Sequence, residues 1–554
     1  MDNARFVLFA FFIFLSIMLW QQWEIDYGPR PPAEQAAHDS GIPGIPGEPG
    51  KPDVPASAGS LNEATLGSSA SAEAAAPHQR ITVKTDVLRI EIDTEGGDIR
   101  VLDLPTYPEN KDNPDKPVRL FSDEAGTMFV AQSGFLGSEG SAPTHHSTWK
   151  AEATEYTLPA GQDELRVQLT WTNDQGVTVT KTYVLKRGSF DVQLEHQVAN
   201  RSQADWSGRQ YIQLQRMDPG DKAKDQFVRT YTGGVLYTPE DKYQKISFND
   251  MAGENLNRKS KDGWIAMIQH YFLAAWIPNP GDEHSFYTKA LADNHFVIGA
   301  YTPSLEVKPG EEKVFKTQLF AGPKLQSVLE STAPGLDLTV DYGNLTIIAK
   351  PIFWLLTQFH KLFGNWGWAI IGVTVLLKLM FFPLSAASYR SMANMRKLQP
   401  KLAELKETYG SDKQKLNQAM MEMYRKEKVN TLGGCLPILV QIPVFISLNW
   451  VLVETVEMRQ APFALWLNDL SSKDPYFILP LIMGVSMFIQ QKLSPPPSDS
   501  MQAKIMQFFP IMFTGFFAFF PSGLVLYWVV NNLLSILQQW YINKSIGEPA
   551  PARS

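Results

Sequence analysis

Long apolar runs between residues 346 and 543 limit this 554-residue chain to folds with a membrane-embedded part. Leu436 to Val453 and Pro475 to Gln491 contain no charged residue, and a third uncharged run covers Ile505 to Asn543. One transmembrane helix needs roughly 20 apolar residues. The third run has 39 and therefore exceeds one span. The sequence FPSG at 520–523 offers the turn that divides it into two helices.

Two more apolar stretches bring the number of predicted spans to six. Phe6 to Trp23 has 18 residues without a charge, and no small-residue cleavage site follows it closely, so we expect an uncleaved N-terminal anchor. The other stretch, WAIIGVTVLLKLMFFPL from Trp368 to Leu384, has one charge, Lys378. A span from Ile505 to Phe519 would be short for a hydrocarbon core of roughly 30 Å, which local thinning of the bilayer accommodates.

The distribution of basic residues predicts the orientation of these spans. Residues 390–428 contain ten Lys/Arg and five Asp/Glu, whereas the basic residues of 457–475 are Arg459 and Lys473 alone. The positive-inside rule places the basic segment in the cytoplasm. Counting spans from a cytoplasmic Arg5 gives the same answer. We therefore expect both termini in the cytoplasm and the large polar region between the first two spans outside it.

Residues 81 to 325 alternate apolar and polar side chains, which is the pattern of half-buried strands. In LRVQLTW at 165–171 every second residue is apolar, and the turn residues Asn173 to Gly176 come before VTVTKTYVL. Many such strands predict a large antiparallel β-sandwich. The histidines of this region are scattered, without an HExxH motif or paired carboxylates. We therefore expect no metal site and no enzymatic centre.

Composition and pattern together divide the chain into six parts. A stretch rich in Pro, Gly, Ala and Ser reads as a flexible tether, and IFWLLTQFHKLF at 352–363 has the amphipathic pattern of a helix in the membrane interface. The predicted parts are an N-terminal transmembrane anchor (1–23), a flexible linker outside the cytoplasm (24–80), a β-sandwich outside the cytoplasm (81–325), an interfacial amphipathic helix (345–364), a membrane core (366–545) that includes a cytoplasmic helical hairpin (386–428), and a short cytoplasmic tail (546–554).

Lys378 is the most informative single residue of the membrane core. A lysine at the centre of a bilayer costs roughly 3 kcal/mol on insertion scales, so its default interpretation is functional. No acidic residue lies within any predicted span, and Thr374 shares a helical face with Lys378 four residues away. The sequence has no GxxxxGK[ST] loop for ATP, and a single cysteine, Cys435, excludes an intramolecular disulfide and a CxxC motif. With an ion pair within the spans, ATP binding and cysteine redox chemistry excluded, Lys378 is a cation that could bind a negative group passing through the membrane core.

The basic segment itself predicts two helices. The first runs from about Ala386 to Tyr409 with a kink at Pro400, and a capping box at Ser411 to Gln414 starts the second. Methionines give this hairpin a soft apolar face that could fit varied partners, and an equally good alternative is a seam that packs the two helices together. The methionines concerned are Met392, Met395, Met420, Met421 and Met423.

Three stretches of the core resemble one known family. They are KVNTLGGCLPILVQIPVF at 428–445, EMRQAPFALWLNDLS at 457–471 and FFPSGLVLYWVVNNLLSILQQW at 519–540. These motifs are long and specific, and they resemble the YidC-type membrane protein insertases in the Gram-negative form with a large periplasmic domain. The match extends from the anchor through the β-rich region to the end of the membrane core.

The resemblance implies an insertase and chaperone of the bacterial inner membrane that uses neither ATP nor a cofactor. It implies an α-helical polytopic core with six transmembrane helices, five of them forming the insertase core, and a periplasmic antiparallel β-supersandwich. The implied partners are nascent integral membrane proteins, the Sec translocon and membrane lipid, with the ribosome and the signal-recognition receptor as candidates for the cytoplasmic hairpin. No direct DNA binding is expected.

The resemblance also implies a positively charged hydrophilic groove, carried over residue by residue. Its charge is Lys378, with Thr374, Gln441 and Asn531 beside it, and Trp528 falls where the family has an aromatic residue that contacts the substrate. The family commonly has arginine where this chain has Lys378; lysine preserves the charge only while water reaches it. A second departure, Thr431 in place of the usual proline, concerns only the turn before the following glycines.

Two other function classes compete with an insertase. In a solute transporter or channel, Lys378 would be an anion site, although the two halves of the core show no obvious repeat. In a periplasmic carbohydrate-binding or carbohydrate-modifying protein, the membrane part would serve only as an anchor. Saturable solute flux would favour the first alternative, and complete loss of activity on deleting residues 81–320 would favour the second.

Overall fold

A computed structural model describes residues 79–545 apart from 138–139, 221–229, 410–411, 428–435 and 494–499. The chain divides into two compact units. The first, called the β unit here, contains the described residues up to 341 together with 454–456, and the second, the helical unit, contains 342–453 and 457–545. The predicted anchor, the tail at 546–554, Thr431 and Cys435 lie outside the described residues, as does the linker except for its last two positions.

The β unit consists of two large sheets, as the alternating pattern predicts. Its strands are β1 Arg80–Lys84, β2 Arg89–Asp93, β3 Ile99–Asn110, β4 Asn113–Phe121, β5 Phe129–Leu136, β6 Lys150–Ala151, β7 Glu155–Thr157, β8 Glu164–Thr172, β9 Val177–Lys186, β10 Asp191–Asn200, β11 Trp206–Met217, β12 Gly233–Thr238, β13 Lys242–Ile246, β14 Asn257–Lys261, β15 Trp264–Ile268, β16 Phe272–Pro278, β17 Glu283–Ala290, β18 His295–Tyr301, β19 Leu305–Val307 and β20 Glu312–Pro323.

Over the described ranges, one sheet has eleven strands and the other has nine. The first follows the order β14-β17-β18-β11-β5-β3-β2-β1-β7, with β19 on β11 and β4 on β3; the second follows β13-β12-β15-β16-β20-β10-β9-β8-β6. The pairs are antiparallel except for β1 and β7, which run parallel at one edge. Two short helices, α1 (Phe248–Gly253) and α2 (Gln326–Thr332), complete the unit.

The β8–β9 hairpin illustrates how the sequence produces this fold. Val167 and Leu169 are buried, while their neighbours on the strand face outward. At the turn, the side chain of Asn173 accepts hydrogen bonds from the backbone amides of Gln175 (3.1 Å) and Val177 (2.8 Å). Gly176 takes the left-handed backbone conformation that closes the turn, with φ +94°. The predicted turn at Asn173 to Gly176 is therefore confirmed.

The helical unit contains nine helices within the described ranges. They are α3 Thr346–Phe363, α4 Trp366–Met380, α5 Phe382–Lys397, α6 Gln399–Tyr409, α7 Lys413–Lys426, α8 Leu436–Glu454, α9 Ile478–Leu493, α10 Ser500–Phe517 and α11 Ser522–Ser545. Helix α11 is central, because it packs against α4, α5 and α9, while α10 packs on α9 and α3 on α4. The division of the third apolar run falls after Phe517, close to the FPSG turn that the sequence offers.

By length and hydropathy, no single helix among the described residues qualifies as a membrane span. The bent pair Trp366–Met380 and Phe382–Met395, with 65° between its halves, qualifies jointly, and Val440–Glu454, Ile478–Leu493 and Met506–Phe517 are shorter apolar helices. The count of six spans therefore stays a prediction. The bend itself was not predicted, because the apolar pattern continues through Phe381 without a break.

The predicted cytoplasmic hairpin differs from expectation in two respects. Its first helix starts at Phe382 rather than Ala386, and it is interrupted at Leu398, so that α5 and α6 are separate helices. Pro400 lies in the first turn of α6, where its ring and missing N–H are tolerated. The second helix, α7, starts after Asp412, whose side chain caps it by accepting hydrogen bonds from the amides of Gln414 and Lys415. Ser411, the first residue of the predicted capping box, lies outside the described residues.

Candidate functional site

Lys378 lies in the last turn of α4, within the helical unit. Helix α4 begins where Asn365 caps it, its side chain accepting a hydrogen bond from the backbone amide of Trp368 at 3.2 Å. A cation in the last turn of a helix lies at the negative end of the helix dipole, which favours it there. The Lys378 side chain is half-buried, and its Nζ donates a hydrogen bond to Ser535 Oγ on α11 at 2.8 Å.

A chain of hydrogen bonds continues from Ser535 to a third helix. Ser535 Oγ donates to the backbone carbonyl of Asn531 at 2.7 Å, and the side chain of Asn531 accepts from Gln441 Nε2 on α8 at 2.8 Å. Asn531 and Ser535 are four residues apart and so share one face of α11. Lys378, Ser535, Asn531 and Gln441, named the polar chain here, thus link α4, α11 and α8.

The charge at one end of the polar chain has no counter-ion in the described part of the protein. No salt bridge of Lys378 with a carboxylate occurs within the described ranges, and its one hydrogen bond there is to a neutral hydroxyl. A buried charge usually has a partner or neutralises. An ammonium group held by one hydroxyl retains two further donors, which an incoming carboxylate could use.

Two predicted groove residues do not take part in the polar chain. Thr374 is buried, and its hydroxyl donates to the carbonyl of Ile370 on its own helix at 2.6 Å. Trp528 packs edge-on against Phe445, with 4.8 Å between ring centroids, and its indole Nε1 is buried without a hydrogen-bond partner. A buried indole N–H without a partner is unusual, so Trp528 has donor capacity that the described residues do not use.

The sequence reasoning missed Ser535 and Tyr389 as members of the site. Ser535 is the direct partner of Lys378, and Tyr389 on α5 has its side chain near enough to Ser535 to interact with it. Ser535 was visible as one of several polar residues of the last span, and its spacing of four from Asn531 was the available signal. Tyr389 gave no signal, because the bend after α4 brings it to the site.

A second polar contact lies between α9 and α11. Asn532 Nδ2 donates to Ser486 Oγ at 3.0 Å, and Gln539 Nε2 donates to the carbonyl of Leu493 at 2.9 Å. Both Asn532 and Ser486 are buried. This is the arrangement of interhelical polar bonds that hold neighbouring membrane helices together.

The hairpin methionines divide into two groups. Met392, Met395, Met420 and Met423 are half-buried, whereas Met421 is 68% exposed. Met421 lies on one face of α7 together with Gln414, Gln418, Glu422, Arg425 and Lys426, which line a shallow surface concavity. Four of the five methionines predicted for the hairpin are therefore partly packed, and the fifth, Met421, exposes its thioether.

Two family models match the chain, and together they cover most of it. A model described as the YidC periplasmic domain matches residues 80–355, and one described as 60Kd inner membrane protein matches residues 358–549. The chain belongs to the YidC family of membrane protein insertases. The family comprises inner-membrane insertases with a periplasmic domain, and the resemblance inferred from the three motifs is confirmed.

Two relatives agree with this assignment over 99% of their length. A membrane protein insertase YidC from Methylococcus capsulatus is 63% identical over 547 residues, covering 99% of each chain. One from Thioalkalivibrio sulfidiphilus is 51% identical over 561 residues, again covering 99% of each. Among solved structures, an active YidC insertase crystal structure with the first transmembrane domain resolved is 18% identical, with a TM-score of 0.39 over 84% of this chain and 93% of that one.

Proposed function

We propose that this chain inserts integral membrane proteins by a transient electrostatic attraction between Lys378 and carboxylates of the entering protein. The observation that carries the proposal is the half-buried Lys378, which has a neutral hydroxyl partner and no salt bridge within the described ranges. The polar chain extends from it across three helices and offers an incoming polar segment donors and acceptors in place of water. No ATP, cofactor or covalent chemistry takes part, and the chain is not an enzyme.

The apolar part of a substrate follows a different surface. Helices α9 and α10 expose large apolar side chains, including Val485, Phe508 and Ile511, each at least 60% exposed. In a bilayer such faces contact lipid chains, so an apolar segment gains nothing by staying in the groove and leaves along them. The polar and apolar parts of one substrate thereby separate.

In this proposal, the membrane topology and the partners of the protein are those of the family. The β unit lies in the periplasm, both termini lie in the cytoplasm, and six helices span the inner membrane. The protein works alone or beside the Sec translocon and receives nascent membrane proteins. The ribosome and the signal-recognition receptor meet the hairpin, where the exposed Met421 lies among charged and amide side chains that suit a mixed protein surface.

Replacing Lys378 tests the proposal in proteoliposomes of the purified chain. We expect Lys378→Arg to insert substrates normally and Lys378→Glu to fail. Lys378→Ala should reduce insertion of a substrate with an acidic translocated tail about tenfold or more. A tenfold reduction corresponds to the loss of about 1.4 kcal/mol of attraction between the lysine and the tail. The same substrate with a neutral tail should be affected far less. Protease protection of the translocated tail measures the insertion.

Lys492→Ala is a matched control, because Lys492 is an exposed lysine at the end of α9 and contacts the ring of Phe488. It should leave insertion unchanged. Equal insertion by wild type and Lys378→Ala across acidic-tailed substrates would contradict the proposal. Saturable flux of a small anion that disappears in Lys378→Ala would favour a transporter instead.

A further inference from the structure

Residues 457–477, named the connection here, join α8 to α9 within the helical unit and contain the family motif EMRQAPFALWLNDLS. Two carboxylates organise the connection. Asp469 Oδ1 accepts hydrogen bonds from the amide of Gln460 (3.0 Å) and from both the amide (2.8 Å) and the hydroxyl (2.7 Å) of Ser471. Asp474 is buried and accepts from Trp466 Nε1 at 3.0 Å and from the amides of Tyr476 and Leu479.

The connection is held in a demanding backbone conformation. Gln460, Leu465 and Phe477 all have positive φ, between 56° and 58°, although none is glycine. Side chains other than glycine adopt this conformation at a cost and keep it where the surroundings fix it. Because the bonds to Asp469 cross this segment, they specify one shape for it.

Three helices begin in contact with the connection. Asn365, which caps α4, donates through Nδ2 to the carbonyls of Pro462 (3.2 Å) and Phe463 (3.1 Å). Asp474 accepts from Leu479 at the start of α9 at 2.7 Å, where the helix dipole favours a negative group. The connection therefore touches the caps of both helices.

The third helix, α11, is tied to the connection at three points. The amides of Ser522 and Gly523 donate to the carbonyls of Ser472 (2.7 Å) and Leu470 (2.9 Å). The Ser522 hydroxyl donates to the carbonyl of Asp469 at 2.7 Å. The first amides of a helix have no partner within it, so the connection supplies the acceptors that α11 requires at its start.

Lys378 and its partner Ser535 lie equally far along their helices from the hydrogen bonds that hold the helix starts to the connection. Lys378 is thirteen residues after Asn365, and Ser535 is thirteen residues after Ser522. At 1.5 Å per residue, each lies about 20 Å from its tied end. A slip of α11 against α4 by half a turn, about 3 Å, would break a hydrogen bond of normal length.

We propose that Asp469 is a positioning residue: by fixing the connection, it sets the axial register of α4 and α11 and thereby the contact of Lys378 with Ser535. Asp469 touches no substrate in this account and acts through the helix ends. That this register matters for insertion rests on the proposed function. That Asp469 sets the register is independent of the proposed function.

Spin labels can measure the register directly in the full-length protein. Leu379 on α4 and Leu537 on α11 are 63% and 61% exposed and lie beside the contact. With the single cysteine removed as Cys435→Ser, both positions can be changed to cysteine, labelled, and their separation measured by pulsed electron resonance. We expect Asp469→Ala to shift the mean distance by about 3 Å or to broaden it by that amount, and Asp469→Asn to keep it, because Oδ1 remains as the acceptor.

Asp412→Ala is the matched control, since Asp412 also accepts two backbone amides but caps α7 in the hairpin. It should leave the label distance unchanged. A wild-type distance in Asp469→Ala, or an equal shift in Asp412→Ala, would overturn the inference. If Asp469→Ala does not fold, Ser522→Ala removes one tie and should shift the distance less but in the same direction; an unchanged distance there would equally overturn it.

Insertion assays separate this inference from the proposed function. Asp469→Ala should lose insertion of acidic-tailed substrates to a similar degree as Lys378→Ala, and Asp469→Asn should retain it. A shifted label distance with normal insertion would overturn the role of the register. Normal insertion by Lys378→Ala would instead overturn the proposed function and leave the distance result standing.

Discussion

Each unit of this protein contains a lysine that is at least partly buried, and the two lysines differ in how many of their ammonium donors have partners. In the β unit, Lys181 is fully buried, and its Nζ donates to the carbonyls of Gly96 (2.9 Å), Gly97 (3.1 Å) and Ser133 (3.1 Å) and to Asp98 Oδ1 (3.4 Å). In the helical unit, Lys378 donates to Ser535 and has no ion pair within the described ranges.

The difference separates a structural cation from one available to a ligand. The donors of Lys181 are all used, and burial still lowers the pKa of its ammonium to about 8 despite the nearby Asp98. Burial likewise raises the pKa of Asp98 to about 6, against the opposing influence of Lys181. A saturated site of this kind has nothing left to offer a partner, whereas Lys378 has donors to spare.

The largest expected effect comes from breaking the Lys181 site. Lys181→Met should destabilise the β unit by about 3–5 kcal/mol, because it leaves Asp98 buried without its partner. Urea unfolding of the full-length protein, followed by hydrogen exchange of β5 and β9, measures the change. Adding Asp98→Leu should recover part of the loss, and a loss in the double variant equal to the sum of the losses in the two single variants would show that the pair is not coupled.

An intermediate effect is expected from acid titration in the same unit. Burial lowers the pKa of His145 to about 3, with the neighbouring His146 adding to the shift. The unfolded histidine binds its proton more readily, so the stability that neutral His145 contributes is present above pH 6.5 and is lost as the pH falls toward 3. The loss is about 1.4 kcal/mol for each pH unit below 6.5.

His145→Gln should therefore make the β unit less sensitive to acid between pH 6.5 and 4.5 than wild type. Asp98 has the opposite sign, since its raised pKa contributes stability that is present below pH 3.8 and lost as the pH rises through about 6. Comparing the variant with wild type at each pH removes this common contribution. Parallel stability curves for the two proteins would refute the prediction.

The smallest effect on stability is expected from replacing Lys378. This measurement separates the roles of Lys181 and Lys378 most clearly. Lys378→Met removes one hydrogen bond and relieves the burial of a charge, so the free energy of unfolding should change by less than about 1 kcal/mol. Hydrogen exchange of α4 and α11 measures it. Asn532→Ala, which removes the polar contact with Ser486, provides the matched structural loss. A loss at Lys378 as large as at Lys181 would make both lysines structural.

Sequence patterns alone accounted for much of the architecture. Strict alternation in LRVQLTW predicted strands, and Asn173 to Gly176 predicted the hairpin turn, because both signals act over a few neighbouring residues. The division before α11 was readable for the same reason. Lys378 was conspicuous because a charge in an apolar run is costly wherever the helix lies.

Only the tertiary structure decided what surrounds that charge. Ser535 is 157 positions from Lys378 along the chain, and its spacing of four from Asn531 does not indicate which residue of another helix it meets. The break after α4 that brings Tyr389 to Ser535, and the carboxylates of the connection that tie three helix ends, depend on contacts between distant segments. The sequence by itself determined that a cation lies in an apolar run. The axial register of α4 and α11 decided that the hydroxyl of Ser535 meets this cation, because register depends on how the helices pack.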